Sequence, residues 1–452
     1  MDRRAAAALS RSVFADTTPL RNNNFRRLWV SSIVTVIGGQ LSVVAVPKQI
    51  FDITQSSAYV GLAGVFALVP LIGFGLWGGA LADVLDRRSL LLVSSSGLGL
   101  TSLGFWAQAA LGNHNVWLVL TLLAVQQAFF AINQPTRSAL LPRILPGEQL
   151  VAANSLNMTV FQFGAIAGPV LAGVLIPAVG LAMLYLIDSI ALLATLWAVF
   201  RLPPLPPTGS ARRAGIREML DGFAYLATQR VLLASFVVDI IAMVFGMPRA
   251  MFPQIAQQTF GDPVDGGMAL GLLYASMSVG AVVGGVFSGW LPRVRYQGRA
   301  VVGCIVVWGL ALVGFGFAVG SGGSTLWLWI ALGFMALGGA ADMISAAFRS
   351  TMLQQVATDE VRGRLQGVFT VVVAGGPRLG DLSHGFAAAA VGTAAAAAGG
   401  GVLVVIGVLI AAALIPAFVR YRVPTHRPTT TGSTDSAAAA VADYPHDGHL
   451  SD

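Results

Sequence analysis

The chain has 452 residues, 56% of them hydrophobic and 10% charged, with a formal net charge of +7 and a mean hydropathy of +0.75. Soluble domains carry about 25% charged residues, so this composition excludes an ordinary soluble domain and describes a polymer solvated by lipid. A pI near 10.2 does not imply a nucleic-acid partner, because the arginines are scattered over many short segments rather than gathered on one stripe.

In chain order, residues 1–24 are expected to form a disordered cytoplasmic N-terminus; residues 1–20 hold no signal-peptide core, so the first apolar run is expected to direct its own insertion. Runs of the ~20 residues needed to cross a bilayer are predicted over 28–51, 57–82, 89–111, 116–137, 152–177 and 181–201. They recur over 231–256, 267–291, 300–320, 325–348, 364–391 and 400–420. The expected fold class is therefore all-α and integral to the membrane, with twelve transmembrane helices in two pseudo-symmetric six-helix halves, 25–202 and 231–422. Between the halves, Pro203-Pro204-Leu205-Pro206-Pro207 makes a stiff exit. Ile216, Met219, Leu220, Phe223 and Leu226 then recur at helical spacing beside Arg212, Arg213 and Arg217. Residues 203–230 thus read as a cytoplasmic linker carrying an amphipathic interfacial helix. The tail 423–452 is rich in Thr, Ala, Ser and Asp without a packing pattern and is expected to be disordered.

Cations fall in every second gap: Arg87-Arg88, Arg137 with Arg143, the stretch from Arg201 to Arg230, Arg293/Arg295/Arg299, and Arg349/Arg362/Arg364. The intervening gaps near Ser56, Asn113, Gly180, Pro263, Ser321 and Gly392 hold none. Short cytoplasmic loops collect Lys and Arg, so both termini are expected on the cytoplasmic side of the membrane. Lys48, Arg249 and Arg378 break the rule by lying within or at the edge of a span. The single cysteine, Cys304, excludes an intramolecular disulfide and a multi-cysteine metal site, and no metal is expected.

Between the second and third runs stands Gly78-Gly79-Ala80-Leu81-Ala82-Asp83-Val84-Leu85-Asp86-Arg87-Arg88. Asp83 and Arg87 are four apart and share a helical face. The string resembles the G-x-x-x-D-x-x-x-R motif of the major facilitator superfamily. That resemblance implies a cytoplasmic latch made by Gly79, Asp83, Arg87 and Arg88. The corresponding second-half gap has Gly289 where Asp83 stands, so the latch is expected in the first half. In the fifth run, Gly164, Gly168 and Gly173 with Pro169 permit a tight, bent helix crossing. This string resembles the G-x-x-x-G-P-x-x-G-G motif of the superfamily's antiporters, with Ala172 replacing a glycine, and the resemblance implies export.

Val44-Ala45-Val46-Pro47, the prolines 203–207, Phe252-Pro253, Gly271-Leu272-Leu273-Tyr274-Ala275 and Thr351-Met352-Leu353-Gln354 extend the resemblance over residues 25–422. The branch they resemble is that of the enterobactin exporters, which implies proton-driven expulsion of a catecholate siderophore.

Charges at the bilayer centre cost about 2.5–3.5 kcal/mol each even on insertion scales, so they are expected to pair or to line a central cavity. Asp381, Asp239, Asp342, Asp188 and His384 are the proton-coupling candidates, with Asp381 first because Arg378 and His384 stand three residues to either side and are expected to form one polar stripe with it. Arg378, Arg249, Gln40, Gln126, Asn133 and Gln162 are the substrate-cavity candidates; Lys48 and Asp52 suit an outer gate. The expected function is proton-coupled export of an amphipathic small molecule by a monomer, without a bound cofactor and without enzymatic activity. The alternatives are a multidrug antiporter and a metabolite importer of the same fold.

Overall fold

The computed structural model describes residues 16–204, 224–356 and 359–422; within them, the side chains at 76, 78–80, 82–84 and 356–371 are not described. Among these residues the chain is helical almost throughout. The first half comprises α1 (Asn23–Thr54), α2 (Ser57–Val84), α3 (Arg87–Ala110), α4 (Val116–Ile144) and the long helical run Leu150–Phe200. That run breaks at Gly180, whose φ of 76° lies where L side chains are strained and glycine is not. It therefore forms two spans, α5 (150–179) and α6 (181–200). The second half comprises α7 (Arg230–Gly246), α8 (Met268–Val286), α9 (Gln297–Gly320), α10 (Thr325–Val356), α11 (Asp359–Val391) and α12 (Thr393–Leu414). Among the described residues this layout is compatible with the twelve spans expected. Ten helical segments pass a length-and-hydropathy threshold for crossing a bilayer; one is the broken pair, and the more polar α11 falls outside the set.

Local chemistry sets several starts. Asn22, Asp86 and Asn115 cap α1, α3 and α4, each accepting backbone N–H groups that the first turn leaves without partners. Packing then repeats between halves. The contacts α2–α4, α3–α4 and α3–α6 recur as α8–α10, α9–α10 and α9–α12, and α1 packs on α5/α6 as α7 does on α11 and α12. Across the halves the main contacts are α2–α11 and α5–α8, again an equivalent pair.

Two helices outrun their expected ends, which corrects the cation map. α4 continues through Arg137 and Arg143, and α10 continues through Arg349. Arg349 is 3% exposed. It is therefore a buried cation rather than a loop cation, and the apolar count missed it because charge ends a hydropathy run before helical geometry ends. The seventh span is also not one helix. α7 stops at Gly246, Met247 is extended, and a 3₁₀ turn (Arg249–Met251) leads through Phe252–Gln254 to a π-helical turn (Ile255–Thr259). Pro248 cannot donate to the preceding turn, which accounts for the break. The amphipathic helix expected in 203–230 lies mostly outside the described residues; residues 224–228 are helical. The tail 423–452 lies outside them entirely.

Candidate functional site

The two halves enclose a cavity of about 330 Å³. Its lining comes from both halves: α1, α4 and α6 supply Gln40, Gln126, Asn133, Arg137 and Asp188, while Arg249, Tyr274, Arg378 and Asp381 face them. Phe130 and Phe161 add aromatic wall. Three arginines therefore meet two aspartates. The lining on α3, α4 and α6 extends through Ser95, Arg137 and Thr195 toward the arginine-rich helix ends.

The opposite end is closed. A Cβ on Gly61 of α2 would lie 2.7 Å from the Asp381 carbonyl oxygen, and one on Gly385 would lie 2.5 Å from that of Ser57. On the other side, a Cβ on Gly271 of α8 would press on the Pro169 carbonyl oxygen and lie 3.0 Å from Gly173 Cα. Side chains add to this closure. Lys48, 2% exposed, pairs with Asp52 and donates to the Val264 carbonyl at 2.6 Å, reaching from α1 to the loop before α8. Ser57 donates to Gln254 Oε1 at 2.5 Å.

Each candidate has a definite place. Arg378 Nη1 and Asp381 Oδ2 are 3.9 Å apart, with Arg378 36% exposed to the cavity. His384 does not share their face: its ring is buried, bonds the Gly380 carbonyl through Nδ1, and abuts Gly400 of α12. The expected single stripe fails because two steps of three residues rotate about 120° around a helix with 3.6 residues per turn. Asp188 is held by hydroxyls rather than a cation, accepting from Ser42 and Ser102 at 2.8 Å each. Gln126 donates to Ser102 at 3.3 Å, and Asn133 to Ser94 and Ser95 at 2.9 and 3.0 Å. Gln162 is absent from the lining, although Phe161 beside it is present.

Asp239 and Asp342 lie behind the cavity rather than in it. Arg349 pairs with Asp239, and its Nη2 stands 3.6 Å from Asp342 Oδ1. In the latch string, Arg87 donates to the Ala139 carbonyl and Arg88 to that of Phe200, both at 2.8 Å. Gly79 and Asp83 lie on α2, where the surroundings of Gly79 and the side chain of Asp83 are not described. In the antiporter-type string, Gly164 and Gly168 abut Val36 and Gln40 of α1, whereas Gly173 and Pro169 meet α8 across the halves.

Sequence reasoning missed Arg137 and Arg349 as site residues, along with Ser42, Ser102, Tyr274 and the two phenylalanines. A signal for the arginines exists. Ile132-Asn133-Gln134-Pro135-Thr136-Arg137-Ser138 aligns with Ile344-Ser345-Ala346-Ala347-Phe348-Arg349-Ser350, so they are equivalent positions of the repeat. Likewise Pro47-Lys48 matches Pro248-Arg249.

The family described as "Transmembrane secretion effector" matches residues 14–428. The enterobactin exporter EntS of Escherichia coli is 28% identical over 424 residues, covering 90% of this chain and 96% of the relative. EntS of Shigella boydii is 28% identical over 370 residues, covering 79% and 83%. Among solved structures, the nucleoside transporter NupG matches with a TM-score of 0.66 at 12% identity, over 87% of this chain and 98% of NupG. A bacterial homologue of the iron transporter ferroportin, in an inward-facing state, matches with a TM-score of 0.64 at 15% identity, over 88% and 98%. At these identities the structures speak to the fold, which is that of the major facilitator superfamily.

Proposed function

The chain belongs to the transmembrane secretion effector family, and from that premise we propose that it exports an anionic, amphipathic small molecule, a siderophore of the enterobactin type first among them, by proton-coupled alternating access. The observation that carries this reading is the cavity. Arg137, Arg249 and Arg378 outnumber Asp188 and Asp381 there, and Phe130, Phe161 and Tyr274 stand among them. Paired oxygens on a ring match the planar, two-pronged donor set of a guanidinium, and the ring itself suits an aromatic wall. The Arg378–Asp381 separation of 3.9 Å is loose, so an incoming anion competes for Arg378 against a weak partner. The relatives named as enterobactin exporters support the cargo class.

The arginine-rich end is the cytoplasmic one by the positive-inside argument, which places both termini in the bacterial cytoplasm. Cargo then enters from the cytoplasm in the conformation described, with the outer end closed by the α2–α11 and α5–α8 crossings. Rocking of the halves about the central site opens that end. The proton gradient supplies the energy, no cofactor is required, and a monomer suffices because both halves of the site are on one chain. The resemblance of the Gly164–Gly173 string to antiporter motifs favours export over import.

Inverted vesicles with an acidic lumen test this reading. Accumulation of enterobactin inside them is the expected result; accumulation only when the gradient is reversed overturns export. A deletion strain that secretes its siderophore normally but becomes drug-sensitive transfers the cargo to the multidrug class.

A further inference from the structure

We propose that the Asp239–Arg349–Asp342 cluster, behind the substrate cavity, is the proton-binding site of the transport cycle. The proposal rests on the proton-coupled reading above. It takes the proton away from Asp381, which is left as the partner that cargo displaces from Arg378.

The charge count comes first. One guanidinium serves two carboxylates: Arg349 and Asp239 are 3% and 1% exposed, and Asp342 only partly so. Arg349 Nε also donates to Ser345 at 3.3 Å. Asp239 Oδ2 and Asp342 Oδ1 are buried without a hydrogen-bond partner among the described residues. An ionised carboxylate calls for several donors, and two ionised carboxylates sharing one cation away from water are disfavoured. One added proton neutralises the cluster: it binds Asp239, and Arg349 turns fully onto Asp342.

Access comes second. A void of about 10 Å³, lined by Leu232, Ser235, Phe236, Asp239, Arg349 and Leu353, touches the cluster. That is room for about one water molecule. Leu232 lies near the start of α7 and Leu353 near the end of α10, so the void is on the arginine-rich side of Asp239. The substrate cavity lining contains none of the three cluster residues. The proton thus leaves toward the arginine-rich side by a route separate from the one by which cargo enters, and the Arg349–Asp239 pairing described here is the state after the proton has left.

Other charges near the cluster are few. Arg249, on the 3₁₀ turn after α7, is within electrostatic range of Asp342, and Cys304 of α9 within range of Arg349. Arg249 is also within range of Asp381 on α11, which carries Arg378 and His384 as well. From α8 the titratable group is Tyr274, and α12 has none. The seventh span joins the two sites, with Asp239 on α7 in the cluster and Arg249 on the 3₁₀ turn at the cavity, on either side of the break at Met247-Pro248.

The test uses the full-length purified protein. Infrared difference spectra between acidic and neutral pH should show a buried protonated carboxyl in the wild type that is lost in Asp239→Asn. In proteoliposomes, Asp239→Asn and Asp342→Asn should lose pH-gradient-driven accumulation of enterobactin while keeping gradient-independent exchange. If Asp239→Asn fails to fold, the charge-neutral double variant Asp239→Asn/Arg349→Gln carries the same readouts. The proposal is overturned if the carboxyl signal persists in Asp239→Asn and vanishes in Asp381→Asn, or if both cluster variants keep gradient-driven accumulation. The spectra need no cargo. A wild type that protonates at Asp239 yet shows no gradient-driven transport therefore refutes the proposed function and leaves this site standing.

Discussion

Replacing Gly271 with alanine adds one carbon at the tightest point of the α5–α8 crossing. That carbon meets the Pro169 carbonyl, a backbone atom of the other half, and stands 3.0 Å from Gly173 Cα. Neither neighbour has a rotamer with which to move away, so the halves must separate or strain. Overpacking of this kind costs about 1–3 kcal/mol. The gain in helix propensity from Gly to Ala, about 1 kcal/mol, applies to α8 in every conformation and cancels from the conformational equilibrium. The crossing is relieved only when the arginine-poor end opens, so the outward-open population should rise by about 5- to 150-fold, at 1.4 kcal/mol per factor of ten. Ser57→Cys in a Cys304→Ser background reports the change. Ser57 is 1% exposed and sits against both Gln254 and Gly385 of the other half. Labelling of whole cells with a membrane-impermeant maleimide should be faster when Gly271→Ala is added. Unchanged labelling in a variant that is folded and present at normal level would refute the assignment of this crossing as the outer closure.

Arg349→Leu leaves Asp239 buried without its cation and should cost about 3–5 kcal/mol of stability; thermal unfolding in detergent should show most of that loss recovered in Arg349→Leu/Asp239→Asn. Arg378→Gln and Arg249→Gln should each weaken an anionic cargo by the ~1.5–3 kcal/mol of one charged hydrogen bond, read as a rise in KM. An equal loss for a neutral analogue would contradict that role. Gln49→Leu should lower the unfolding temperature without changing the transport of the folded fraction. It breaks a reciprocal pair with Gln108, at 3.1 and 2.9 Å, and removes the acceptor of the Tyr185 hydroxyl at 2.9 Å. The buried groups left without partners should cost about 1–3 kcal/mol each.

Much of the architecture was legible before any coordinates, and the reason is solvent. A bilayer demands long apolar helices and sorts loop cations by side, so spans and the arginine alternation can be read from composition alone. The glycine strings were equally legible, because close helix approach has few chemical solutions. Hydropathy fails where a helix continues through charge, as α4 does past Arg137 and α10 past Arg349. It fails again at α7, where Pro248 and a π turn divide one apolar run. Spacing also misled at α11, where Arg378 and Asp381 border the cavity and His384 turns toward Gly400.

The sequence by itself determined that this chain lives in a membrane, that it is built as two related halves, and which residues carry unusual charge. Only the tertiary structure decided which of those charges meet. Arg349 finds Asp239 more than 100 positions away, two serines from different helices hold Asp188, and Lys48 reaches across the halves to Val264. Composition acts on each residue through its own transfer free energy, whereas pairing depends on the rotation and depth of two helices relative to each other, which no single segment specifies.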